Sequence, residues 1–133
     1  MEPLEVVKQY EAQWSSPGDA GAMTACFAPG GTYNAPGADQ LTGDAIGAFG
    51  QLFWDAFPEC NLEIVTAFAS GDQVAVQWEF HSGPMKGDLA GLPATGASAV
   101  ARGMHLIVVE GDRLRSVEAV WDNQGFLAQL DVG

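Results

Sequence analysis

The feature that most constrains this chain is a change of hydrophobic period near residue 60. Before it, apolar residues recur at three- and four-residue steps, and after it they alternate. Leu4, Val7, Tyr10/Glu11 and Trp14 form one stripe, and Pro3 suits a first turn, so residues 3–15 are predicted to be a helix. Ser15-Ser16-Pro17-Gly18-Asp19 breaks it, and Asp19 is placed to cap a short second helix through Phe27. Ala28-Pro29-Gly30-Gly31 reads as a turn, and Thr32-Tyr33-Asn34 as a short strand ended by Pro36-Gly37. Thr42 is the expected N-cap of a third helix, where Ile46, Phe49, Phe53 and Phe57 keep helical spacing until Pro58.

The alternating part predicts strands over 61–69 and 73–81 around Ser70-Gly71-Asp72, with Val74, Val76, Trp78 and Phe80 on one face. The glycine- and proline-rich residues 82–96 form a loop. Two further strands, 97–110 and 113–122, flank the tight turn Gly111-Asp112, and a short helix over 124–130 closes the chain. Helices followed by a run of antiparallel strands describe an α+β domain with segregated layers. At 133 residues, one domain spanning 1–133 is expected.

Seventeen acidic residues against five basic ones give a net charge of −12. Such a surface repels phosphate backbones and anionic lipid, which argues against nucleic acid and membranes as partners. No apolar run reaches membrane-spanning length, and Met1-Glu2-Pro3-Leu4-Glu5 lacks the basic and apolar blocks of a secretory leader. Cys26 and Cys60 make neither a disulfide framework nor a metal spacing, so buried thiols and a cytoplasmic location are expected. Two histidines and two scattered cysteines give no metal cluster. No phosphate loop, dinucleotide fingerprint or Gly-x-Ser-x-Gly occurs, so no cofactor is expected.

A two-residue turn at Gly111-Asp112 pairs Glu110 with Arg113, which sets His105 opposite Glu118 and Ala101 opposite Asp122. Alternation then puts His105, Glu118 and Asp122 on one face, among small and apolar residues. An apolar surround disfavours a carboxylate's charged form, which is what a carboxylate base requires. Asp122 also sits where an aspartate caps a helix, Glu118 suits an ion pair with His105, and His105 itself suits a hydrogen-bonded core.

Gly91-Leu92-Pro93-Ala94-Thr95-Gly96, a hairpin, and then Trp121-Asp122-Asn123-Gln124-Gly125-Phe126-Leu127-Ala128-Gln129-Leu130 resemble the SnoaL-like polyketide cyclases. Phe27-Ala28-Pro29, Tyr33-Asn34 and Leu41-Thr42-Gly43 match as well, so the likeness covers nearly the whole chain. It implies the cone-shaped, nuclear transport factor 2-like α+β fold, a curved antiparallel sheet packed by N-terminal helices around a cavity. It also implies a cofactor-free intramolecular aldol closure on a hydrophobic carbonyl or polyketide-like molecule, or else a non-catalytic binder of the same fold. By the resemblance, Asp122 is the general acid/base, and His105 and Asn34 line the same pocket.

Trp14, Phe53, Trp54, Phe57, Trp78 and Phe80 are the aromatics available to wall that pocket, though each also fits a core. Met85 stands where many relatives carry a histidine, which makes the rim softer and more apolar. Ketosteroid isomerases carry their base aspartate before a proline on the first strand, where this chain has Ala35-Pro36. Arg102 falls on the face opposite His105, away from the place an epoxide-hydrolase-type Asp-Arg-Asp set needs. The fold commonly forms homodimers through the outer sheet face, and Leu62, Ile64 and Phe68 on one strand face suit that, making a homodimer or higher homo-oligomer the expected assembly.

Overall fold

The computed structural model describes residues 1–132. Its elements run α1 (Pro3–Ala12), α2 (Ala20–Ala25), β1 (Phe27–Asn34), β2 (Leu41–Thr42), α3 (Asp44–Ala56), β3 (Asn61–Ser70), β4 (Gln73–His81), β5 (Val100–Glu110), β6 (Arg113–Trp121) and α4 (Asn123–Gln129). The strands form one curved six-stranded sheet in the order β2-β1-β6-β5-β4-β3. Neighbours are antiparallel except β1 and β6, which run parallel.

Pro3 occupies the first turn of α1, and Val6, Val7, Tyr10 and Glu11 form its buried stripe. The helix stops at Ala12, short of the expected residue 15. Gln13 and Trp14 still donate their N–H groups to the Tyr10 and Glu11 carbonyls in a tighter final turn. Asp19 caps α2 as expected, accepting from the Ala22 N–H at 3.0 Å. Thr42 does not cap α3. It is paired with Thr32 in β2, and Gly43, at φ +58°, makes the entry to the helix instead. Residues 28–31, expected as a turn, lie inside β1 as an irregularity where the register against β6 shifts between Phe27 and Thr32.

Val74, Val76, Trp78 and Phe80 point to one face of β4, and Ala101, His105, Ile107 and Val109 continue that face on β5. α1 lies across this inner face, while Phe53 and Phe57 bring α3 into edge-on ring contact with Phe80. Between α2 and α3, a side chain at Gly47 would collide with the Ala20 carbonyl, so the glycine sets the close approach of the two helices.

Two bulges overturn the parity expected on the strands. In the β5–β6 hairpin, Glu110 pairs with Arg113 and Val109 with Leu114, but Val108 then pairs with Ser116, leaving Arg115 as the extra residue. Beyond it every β6 side chain changes face. His105 lies opposite Ala119, and Glu118 opposite Leu106 on the outer side. The shared face of His105, Glu118 and Asp122 therefore does not exist. In β3 the register slips between Ile64 and Thr66, so Leu62 and Ile64 pack inward while Phe68 stands outward. The expected common face of those three is likewise corrected.

Candidate active site

At the middle of the inner face, His105 meets a partner that comes from the first helix. Glu11 reaches it across the sheet, with Nδ1 to Oε2 at 2.7 Å and to Oε1 at 3.0 Å. Both side chains are almost completely buried, at 2% and 1% exposure. A carboxylate oxygen accepts, so Nδ1 is assigned as the donor of this pair. Nε2 makes no hydrogen bond among the described residues.

His105 lies in the wall of a narrow, aromatic pocket together with Trp14, Tyr33, Phe49, Phe53, Leu62, Trp78, Phe80, Ala101, Trp121 and Phe126. About 40 Å³ is open to the centre of a water molecule. None of the five basic residues contributes to this wall. Tyr10 packs against His105 and accepts from the Trp14 indole N–H at 3.1 Å. Burial raises the Tyr10 phenol well above its ordinary value, helped by Tyr33 and Glu11. Burial also raises Tyr33, with the charge of Glu11 as the second cause. Both phenols are thereby kept protonated as neutral wall groups.

The chain matches the SnoaL-like polyketide cyclase family over residues 4–130. It is a member of that family. This SnoaL-like chain is similar in fold to a candidate polyketide cyclase from Xanthomonas campestris pv. campestris, at 21% identity over 96% of each chain and TM-score 0.83. A candidate polyketide cyclase from Acidithiobacillus ferrooxidans is 26% identical, with 98% of this chain and 95% of that one covered and a TM-score of 0.78. A hypothetical protein of ketosteroid isomerase-like fold from Catenulispora acidiphila, solved with trimethylamine, is 20% identical over 97% and 94%, with TM-score 0.81. Among curated proteins none matches the chain.

Of the residues singled out in the sequence, the structure gathers His105, Trp14, Phe53, Trp78 and Phe80 around the pocket. Trp54, Phe57 and Met85 are buried but belong to the surrounding core. Trp54 donates to the Trp14 carbonyl at 3.3 Å, and Met85 sits under the loop, its N–H bonded to the Ala97 carbonyl. Asn34 and Glu118 are paired with each other instead, Nδ2 to Oε1 at 2.9 Å, on the outer side. Asp122 is exposed at the end of β6. It is the N-cap of α4, its Oδ1 accepting from the Gly125 N–H at 2.9 Å.

Sequence reasoning missed Glu11 as the histidine's partner. The signal was present, since Glu11 falls on the apolar stripe of α1, where a carboxylate is out of place unless something answers it. Tyr33, Phe49, Leu62, Ala101, Trp121 and Phe126 complete the wall.

Away from the pocket, His81 Nε2 lies 3.4 Å from both Glu63 and Glu79 on the outer face, and Arg102 Nε donates to Glu79 at 3.1 Å. These groups are partly exposed and read as a surface ion-pair cluster. Lys86 is exposed and pairs with Glu59. Both cysteines are free, and burial pushes each thiol up, away from the thiolate that nucleophilic chemistry needs. No helix among the described residues is long and apolar enough to cross a membrane.

Proposed function

We propose that this chain is an acid/base enzyme of the enolising, intramolecular aldol type, acting on a small, neutral, hydrophobic carbonyl compound. The observation that carries the reading is the buried His105–Glu11 pair in the wall of an otherwise apolar pocket. Glu11 orients the ring through Nδ1 and favours the imidazolium that forms when Nε2 takes a proton. His105 removes a proton α to a carbonyl, the enolate carbon attacks a second carbonyl of the same molecule, and the imidazolium returns its proton to the new alkoxide. The aromatic walls hold the reacting carbons together, which is where most of the rate enhancement of a ring closure arises. A buried carboxylate behind the histidine and a wall without cations argue for a neutral substrate. In this reading Asp122 serves as a helix cap, supported by its exposure and its bond to the Gly125 N–H.

The same apolar pocket supports a second reading, a binder that holds its ligand without turnover. Exchange of the α-protons of 1-indanone into deuterated water separates the two. An enzyme accelerates exchange above the buffer rate, whereas a binder protects the ketone or leaves its exchange unchanged.

The same proposal includes a second copy of the chain as partner. Phe68 on β3, Met104 and Leu106 on β5 and Val120 on β6 are exposed on the outer sheet face. An apolar patch of this kind marks an interaction surface. Sedimentation velocity is expected to give a dimer for the natural chain and a monomer for the Leu106→Glu/Val120→Glu double variant. A monomer for both rejects the dimer.

A further inference from the structure

The chain has four tryptophans, and three of them have a hydrogen-bond acceptor for the indole N–H. Trp14 donates to Tyr10, Trp54 to the Trp14 carbonyl and Trp121 to Asn123. Trp78 is the exception among the described residues. It is 4% exposed, and its Nε1 is buried without a partner. Leaving a buried donor unmade costs about 1–3 kcal/mol, and few native groups are left that way.

The surroundings of this indole belong to the pocket. Its ring centroid is 5.2 Å from that of His105 and 6.1 Å from that of Trp121, and all three residues line the same wall. Its Cζ2 edge, the side of the indole that carries Nε1, rests over Gly103 on the neighbouring strand, where any Cβ would collide with the ring. The glycine leaves room for an indole at this place. Among the described residues this wall thus holds an N–H without an acceptor, beside a histidine whose Nδ1 is taken by Glu11 and whose Nε2 makes no hydrogen bond.

We infer that Trp78 donates its indole N–H to an oxygen of the pocket's ligand, which makes a neutral, flat, carbonyl-bearing ring compound the class this site recognises. The inference rests on the reading of the pocket as the ligand site, and it adds the group that receives the oxygen. When His105 takes an α-proton, negative charge develops on that oxygen, and a fixed donor in a dry site stabilises it. A carboxylate or phosphate ligand is disfavoured because Glu11 lies behind the wall and no cation lines it.

The test compares 1-indanone with 1-methyleneindane, a shape match whose exocyclic carbon cannot accept a hydrogen bond. The full chain is expected to bind the ketone about fivefold more tightly, the worth of one neutral hydrogen bond. In the nitrogen–proton NMR spectrum the Trp78 indole signal moves downfield with the ketone and stays in place with the hydrocarbon. Trp78→Phe keeps an aromatic ring, removes the N–H and is expected to abolish the preference. If that variant does not fold, the indole shift in the natural chain decides alone. A ketone preference that survives in Trp78→Phe, or an unmoved indole signal, overturns the inference while the acid/base reading stands. Absence of binding by both probes overturns the inference together with that reading.

Discussion

Replacing Glu11 with alanine is expected to lower the stability of the fold by about 3–5 kcal/mol, the usual cost of removing one partner from a buried pair. A domain of this size has about 5–15 kcal/mol in hand, so the loss is a large part of the total. The effect is large because His105 is 2% exposed and its Nδ1 has no acceptor other than the Glu11 carboxylate among the described residues. The alanine variant leaves that N–H unsatisfied and opens a void between α1 and the sheet. Glu11→Gln keeps the volume and one acceptor oxygen, and is expected to lose less. Urea unfolding of the three proteins, compared at similar slopes, reads the difference. A loss below about 1 kcal/mol for Glu11→Ala would show that the pair contributes little more than a surface ion pair does.

His105→Gln carries the largest expected effect on chemistry. The glutamine amide can still donate to Glu11, so the fold is retained, but no basic nitrogen faces the pocket. Exchange of the α-protons of 1-indanone is expected to fall by about 10²–10⁴, the range that a positioned general base supplies. Binding of the ketone is expected to change little, because the removed interaction acts in the transition state. A fall of less than about tenfold would place the base elsewhere in the pocket.

How much of this was legible in the sequence depends on the element. The helical stripe of α1, the Asp19 cap and the alternation of Val74, Val76, Trp78 and Phe80 each follow from one local rule, and each appears in the structure. The site depended instead on parity carried across a hairpin, and there one inserted residue reverses everything beyond it. Gly111-Asp112 is indeed the turn, but Arg115 bulges. The shift shows in which residues of β6 are buried, which move from the even position of Leu114 to the odd positions of Val117 and Ala119, while the apolar Val120 stands outward and hides it in the sequence. In β3, inward Leu62 and Ile64 are followed by Ala67, with Val65 displaced between them.

The meeting of Glu11 with His105 was not legible, because 94 residues separate them and only the docking of α1 across the sheet joins them. A stripe position explains that Glu11 is buried. It does not say against what.

In the proposed reaction, proton transfer belongs to the buried histidine–glutamate pair, and the aspartate at the end of β6 serves the last helix. α-Proton exchange by Asp122→Asn tests it most directly, since asparagine caps a helix as well as aspartate and the fold is preserved. The rate is expected to stay within about threefold of that of the natural chain, the behaviour of a residue that makes no contact in the transition state. A loss comparable to that of His105→Gln would contradict it and give the aspartate the acid/base role.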